Sequence, residues 1–146
     1  MKAKRILIPL AGASVDADVV RLAAYVGKPN KAQIEALHVI EVQWNRPLDA
    51  DLTEDEVRAE QLLAAAEEVA RSVGINLETE YVAARTAWSA IVHEAEARGV
   101  DLIIIGMPYR KRMGRVAVGR TVQNVFVSAP CQVIALREQA TGGRAQ

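Results

Sequence analysis

Five basic side chains crowd one stretch of this 146-residue chain: Arg110, Lys111, Arg112, Arg115 and Arg120. They follow an unbroken apolar run, Leu102-Ile103-Ile104-Ile105, and lead into a helical pattern that opens at Gly119. In open α/β sheets, ligands sit where a loop leaves the carboxyl end of a buried strand and feeds a helix. The helix start adds unpaired N–H groups and a partial positive charge. A solvated loop could carry the same charges, but this position favours anion binding.

Other residues with chemical potential are read more plainly. Gly12-Ala13-Ser14-Val15-Asp16 sits at a strand-to-helix turn but lacks the final glycine of a nucleophile elbow, so Ser14 is expected to cap a helix. His38 lies inside a strand pattern and reads as a packed, hydrogen-bonded core histidine. His93-Glu94 begins like a metalloprotease motif, but Ala97 stands where the second histidine should be, and His93 reads as a helix-face residue. Cys131, after Pro130, reads as a small buried filler. One cysteine and two histidines are too few for a zinc site of nitrogen and sulfur ligands. Trp44 and Trp88 fit either core or interface. The chain has no Gly-x-Gly-x-x-Gly and no Walker-type loop. With no activated nucleophile or carboxylate pair either, it is not read as an enzyme, slow nucleotide hydrolysis aside. No catalytic or metal residue is assigned.

Lys+Arg and Asp+Glu are 18 each, which argues against a nucleic-acid binder. The charge is unevenly spread, however. Residues 41–80 hold eleven acids and three bases, whereas residues 102–146 hold seven bases and Glu138 alone as an acid. A single cysteine fits a reducing compartment. The basic start, Ile6–Leu10 and Ala11-Gly12-Ala13 mimic a short signal peptide, but the apolar run is five residues long and contains Pro9. It reads as a first strand. No apolar stretch approaches the roughly 20 residues of a membrane span, so a cytoplasmic location is expected.

Buried strands are expected at Arg5–Leu10, Gln33–Ile40, Asp101–Gly106 and Gln132–Arg137, with a half-exposed edge strand at Ile75–Val82. Helical stripes alternate with them. The first runs from Val15 to Val26 after Ser14. The second opens on the capping box Thr53-Glu54-Asp55-Glu56 and ends at Gly74. The third carries Trp88, Ile91, Val92 and Ala95, and the fourth runs from Gly119 to about Ala129. Strict βαβ alternation implies right-handed crossovers and a parallel, doubly wound α/β sheet. Long loops are expected at Glu41–Leu52 and Met107–Val118. A single domain over residues 1–138 and a disordered tail at 139–146 complete the expectation.

Ile6-Leu7-Ile8-Pro9, Ala36-Leu37-His38-Val39, Asp101-Leu102-Ile103-Ile104-Ile105-Gly106 and Ala129-Pro130-Cys131-Gln132-Val133 resemble the universal stress protein family over residues 4–137. The resemblance implies a Rossmann-like single-domain, open five-stranded parallel sheet of order 3-2-1-4-5 with helices on both faces. It also implies a homodimer paired through the last strand, Cys131–Arg137. Many members bind ATP or AMP between strands 1 and 4, through a Gly-x2-Gly-x9-Gly-Ser/Thr loop. Gly106 and Gly119 match its first and third glycines, but Tyr109 replaces the second, Arg120 replaces the hydroxyl residue, and Thr121 follows one position late. Ala11 stands where nucleotide-binding members carry an aspartate.

A tyrosine at the second glycine position either costs about 1–2 kcal/mol in left-handed geometry or takes another path. Pro108 offers no N–H to an anion. Arg120 adds a full charge and a bidentate fork, and Tyr109 could stack on a base. By this resemblance phosphates would meet Gly106, Gly119, Arg120 and Thr121, with the base near Pro9, Leu10, Ala11 and Val39, and Pro108 and Tyr109 counted among the nucleotide-binding residues. Two functions stay open: a homodimeric stress regulator binding an adenine nucleotide, ATP or AMP, without rapid turnover, or a nucleotide-free module docking on a partner such as a membrane transporter.

Overall fold

The structure, a computed structural model, describes residues 2–47, 50–109 and 118–140, and the backbone of 111–112 and 115–116. Five parallel strands form the main sheet: β1 (Arg5–Pro9), β2 (Gln33–Glu41), β3 (Leu77–Ala84), β4 (Leu102–Met107) and, after a two-residue antiparallel pair β5 (Lys111–Arg112) and β6 (Arg115–Val116), β7 (Gln132–Arg137). Their order is β3-β2-β1-β4-β7, which is the 3-2-1-4-5 arrangement expected from the sequence. The helices are α1 (Asp16–Gly27), α2 (Thr53–Ser72), α3 (Ala87–Ala97) and α4 (Arg120–Ser128).

The apolar runs are explained by cover on both faces. Ile6 and Ile8 of β1, with Leu102 and Ile104 of β4, pack against Val19, Val20 and Ala23 of α1 and Leu63, Ala66 and Ala70 of α2. Leu7, Ile103 and Ile105 point the other way, against Ile91 and Ala95 of α3 and Val122 and Val125 of α4. A two-residue period thus feeds two cores, and the interior positions of these strands are apolar.

The central strands are followed by helices on opposite faces: α1 leaves β1 on one side and α4 follows β4 on the other. The chain moves outward from β1 to β3, then returns across β1 to place β4. That reversal opens a crevice beyond the carboxyl ends of β1 and β4.

Two helix starts differ from the sequence expectation. Ser14 does not cap α1; its hydroxyl donates to the Glu138 carboxylate instead. The Asp16 carboxylate turns back to accept the Gly12 N–H at 2.9 Å. At α2 no Thr53 cap forms either. Asp51 accepts both the Thr53 N–H (3.0 Å) and its hydroxyl (2.6 Å), and the Glu56 N–H goes to the Leu52 carbonyl. A carboxylate two residues earlier does the work assigned to Thr53, and those bonds hold Asp51 below the usual carboxylate range. The edge strand β3 lies two residues later than its alternation suggested, pairing Ile34 with Leu77 through Glu41 with Ala84.

The amino end of the sheet carries an ion cluster. Glu35, only 4% exposed, accepts from Arg5 at 2.7 Å and from Arg98 at 2.9 Å. Arg98 also reaches Glu94 (3.0 Å) and Glu80. Lys4 and Arg5 donate backbone N–H groups to Asp101. This end of the sheet is pinned, while the other end is left open.

Candidate functional site

At the open end lies a cavity of about 560 Å3, within the range of about 300–1,000 Å3 typical of small-molecule sites. It gathers nine of the ten residues assigned from the sequence: Pro9, Leu10, Ala11, Val39, Gly106, Pro108, Gly119, Arg120 and Thr121. Each comes from an element that the topology aims there. Pro9–Ala11 end β1, Val39 lies near the end of β2, Gly106 and Pro108 end β4, and Gly119–Thr121 open α4.

Tyr109 is the exception. Its ring lies under the Arg137 guanidinium, 4.9 Å from carbon to centroid, and its N–H donates to Glu138 Oε1 at 3.2 Å. It does not line the cavity, and the expected stack on a base is not built. Nor is left-handed strain present, since Lys31 is the sole non-glycine residue at positive φ among the described residues. The chain has taken the other path and spends Tyr109 on the C-terminal segment. Arg110, and the side chains of Lys111, Arg112 and Arg115, lie outside the described residues; of the basic loop, only Arg120 is placed at the cavity.

Several lining residues were not assigned from the sequence. Leu37, Ile91, Ile105 and Val122 make an apolar wall contributed by β2, α3, β4 and α4. His38 does hydrogen-bond in the sheet, its Nδ1–H donating to the Leu10 carbonyl at 2.8 Å, yet its ring also faces the cavity. Asp16 supplies a carboxylate: burial raises its pKa, while the Gly12, Ala11 and Ala13 N–H groups act to lower it. The i, i+4 step from Gly12 to Asp16 was the one sequence sign of this turn.

Gly106 has a packing reason as well as a site position. A methyl there would meet Val15 Cγ1 at 2.7 Å and Val19 Cγ2 at 2.8 Å, so glycine lets α1 lie against β4. Gly119 is the opposite case. A methyl there would meet nothing within 4 Å among the described residues, and its backbone is extended, φ −69° and ψ 155°.

The helix starts differ in electrostatics. α1 and α2 carry acids in their first turns, and the first N–H of α3 donates to Glu41 Oε2 at 2.6 Å. α4 has no acid in its first turn and no side-chain cap. Its N–H groups and partial positive charge, with Arg120 beside them, are uncovered at the mouth of the cavity. Among the described residues, no cluster of three or more His, Cys, Asp or Glu could hold a metal ion.

Sequence comparison matches residues 2–137 to the universal stress protein family. The chain belongs to that family. A universal stress protein of Methanocaldococcus jannaschii is 24% identical over 143 residues, covering 92% of this chain and 82% of that protein. The structure of a universal stress protein from Archaeoglobus fulgidus in complex with dAMP superposes with a TM-score of 0.71 at 21% identity, covering 92% of this chain and 98% of the other. A universal stress protein in complex with cAMP gives a TM-score of 0.70 at 15% identity, covering 95% and 100%. These likenesses establish the universal stress protein fold. No helix among the described residues is long and apolar enough to cross a membrane.

Proposed function

We propose that this chain is a regulatory protein that binds an adenine nucleotide, AMP or ATP, in the cavity between β1 and β4, without rapid turnover. The observation that carries the reading is the uncovered α4 amino terminus with Arg120, opening on a cavity whose inner wall is apolar. The phosphates meet the N–H groups of Gly119, Arg120 and Thr121. The base packs on the β2 side against Leu37, Val39 and Ile91. Relatives solved with dAMP and cAMP support the ligand class.

Calorimetry tests it. AMP and ATP are expected to bind one per chain at sub-millimolar concentration and to be recovered intact. Arg120→Ala should weaken both about tenfold, the scale of a lost charge-assisted hydrogen bond. Absence of heat with either nucleotide at millimolar concentration would remove the reading.

The same proposal includes a homodimer through β7. This edge strand has an unpaired side, and α4 beside it exposes Phe126 (51%) and Val127 (84%). Pairing two β7 edges would satisfy the ladder and cover apolar surface that a lone chain leaves in water. Sedimentation should give twice the chain mass, and Val127→Glu should shift it toward one. A single-chain mass for the unaltered protein would refute the dimer.

A second reading, nucleotide-free docking on a partner such as a membrane transporter, draws on the acid-rich exposed face of α2, with Glu54, Glu56, Glu60 and Glu68. It requires the cavity to be inert toward nucleotides, so the calorimetry decides between the two.

A further inference from the structure

The cavity has a neighbour. Ala11 and His38 line it and also border a second hollow of about 370 Å3, completed by Gly12, Arg58, Gln61 and Leu62. Arg58, Gln61 and Leu62 stand at i, i+3 and i+4 on α2, so one helical turn presents all three. Asp55 holds one arm of the Arg58 guanidinium at 3.0 Å, and the rest of that fork meets no acceptor among the described residues. Gln61 engages no hydrogen-bond partner among them either. A carbonyl can only accept, so the His38–Leu10 bond puts the ring proton on Nδ1 and leaves Nε2 open. Three side chains with spare hydrogen-bonding capacity, one of them a cation, therefore surround one hollow. No carboxylate lines it.

Sheet order fixes how this hollow lies relative to the nucleotide. With the nucleotide placed as proposed above, its base is on the β2 side and its phosphates on the β4 side, and β1 lies between those strands. The ribose must cross the end of β1, over Pro9–Ala11. There Ala11, which is exposed, borders both hollows. Resting on the nucleotide reading above, we infer that the second hollow receives a second phosphate, carried on a ribose hydroxyl of the same ligand. The preferred ligand is thus an adenosine bisphosphate rather than a plain mononucleotide. A phosphate monoester suits the free arms of Arg58, which match its oxygens in a fork, with the Gln61 side-chain amide as a further donor. A bare ribose hydroxyl is neutral and offers the Arg58 guanidinium no opposite charge.

The test compares AMP, adenosine 2′,5′-bisphosphate and adenosine 3′,5′-bisphosphate by calorimetry on the full chain, on Arg58→Ala and on Gln61→Glu. One bisphosphate is expected to bind at least tenfold tighter than AMP, and the 2′ and 3′ arms identify which hydroxyl faces the hollow. Arg58→Ala should erase that advantage and leave AMP affinity within twofold, with an unchanged melting temperature showing that the exposed substitution leaves the fold intact. Gln61→Glu, which places a carboxylate in the hollow, should weaken the bisphosphate and not AMP. AMP binding with no gain from either bisphosphate, or a gain that survives Arg58→Ala, would overturn this inference alone. Failure of all three ligands to bind would remove the nucleotide reading and the inference with it.

Discussion

Arg98→Met is expected to destabilise the chain by about 3–5 kcal/mol in urea unfolding, the cost of breaking a buried ion pair by removing one partner. Arg98 sits just past the end of α3 and bonds three carboxylates, of which Glu35 is buried in the sheet. Without it, Glu35 keeps Arg5 alone, and Glu80 and Glu94 lose their shared cation. Methionine retains much of the packing of the aliphatic stem, so the loss reports the charge. The solvent-exposed Glu80 arm is the control: Glu80→Gln should cost under about 1 kcal/mol. A loss below about 1 kcal/mol for Arg98→Met would show that the cluster is peripheral to stability.

The same cluster sets an acid limit. Burial alone would raise the pKa of Glu35, but hydrogen bonds from Arg5 and Arg98 outweigh burial and hold it below the ordinary carboxylate range. A carboxylate depressed in the folded state contributes stability that is complete above its unfolded pKa, near 4.3. That contribution is lost as pH falls through the lower folded value. Urea midpoints of the unaltered chain should therefore decline below about pH 4–5, and the decline should be shallower in Arg98→Met.

Gly106→Ala is the second large effect: about 1–3 kcal/mol of overpacking strain together with weakened AMP binding. The new methyl collides with Val15, the residue just before α1, and with Val19 within it, both β-branched. A valine inside a helix keeps essentially one χ1 rotamer, so Val19 cannot swing aside. α1 must lift from β4 and carry Val15, itself a cavity wall, with it. Val15→Ala in the same chain should restore part of the stability by removing the nearer contact. Gly119→Ala, with open space around it, should change stability by no more than about 0.5 kcal/mol. Equal effects of the two alanines on urea midpoints would contradict this division between a packing glycine and a site glycine.

The strands and their alternation with helices were legible because their cause is local, whereas the strand order came with the family resemblance. Leu102–Ile105 is apolar throughout since both its faces are covered, and alternation with helical stripes left few topologies. Other features depend on groups remote in sequence. Ser14 looked like a cap because nothing near it reveals Glu138, which takes its hydroxyl. Tyr109 looked like a base-stacking residue because Arg137 comes 28 residues later. Ala87 and Ile91 enter the cavity from α3, which no spacing around the glycines announces. His38 was half legible: its core hydrogen bond is present, while its face toward the cavity follows from where β2 ends relative to β1. Asp16 escaped notice because an acid in a first helical turn is ordinary.

The account depends on where charge meets charge at the start of α4. A crystal structure of the chain grown with AMP tests this most directly. Phosphate oxygens are expected within hydrogen-bond distance of the Thr121 N–H and the Arg120 guanidinium, with adenine against Val39. A nucleotide bound elsewhere, or a cavity empty at saturating AMP, would contradict it.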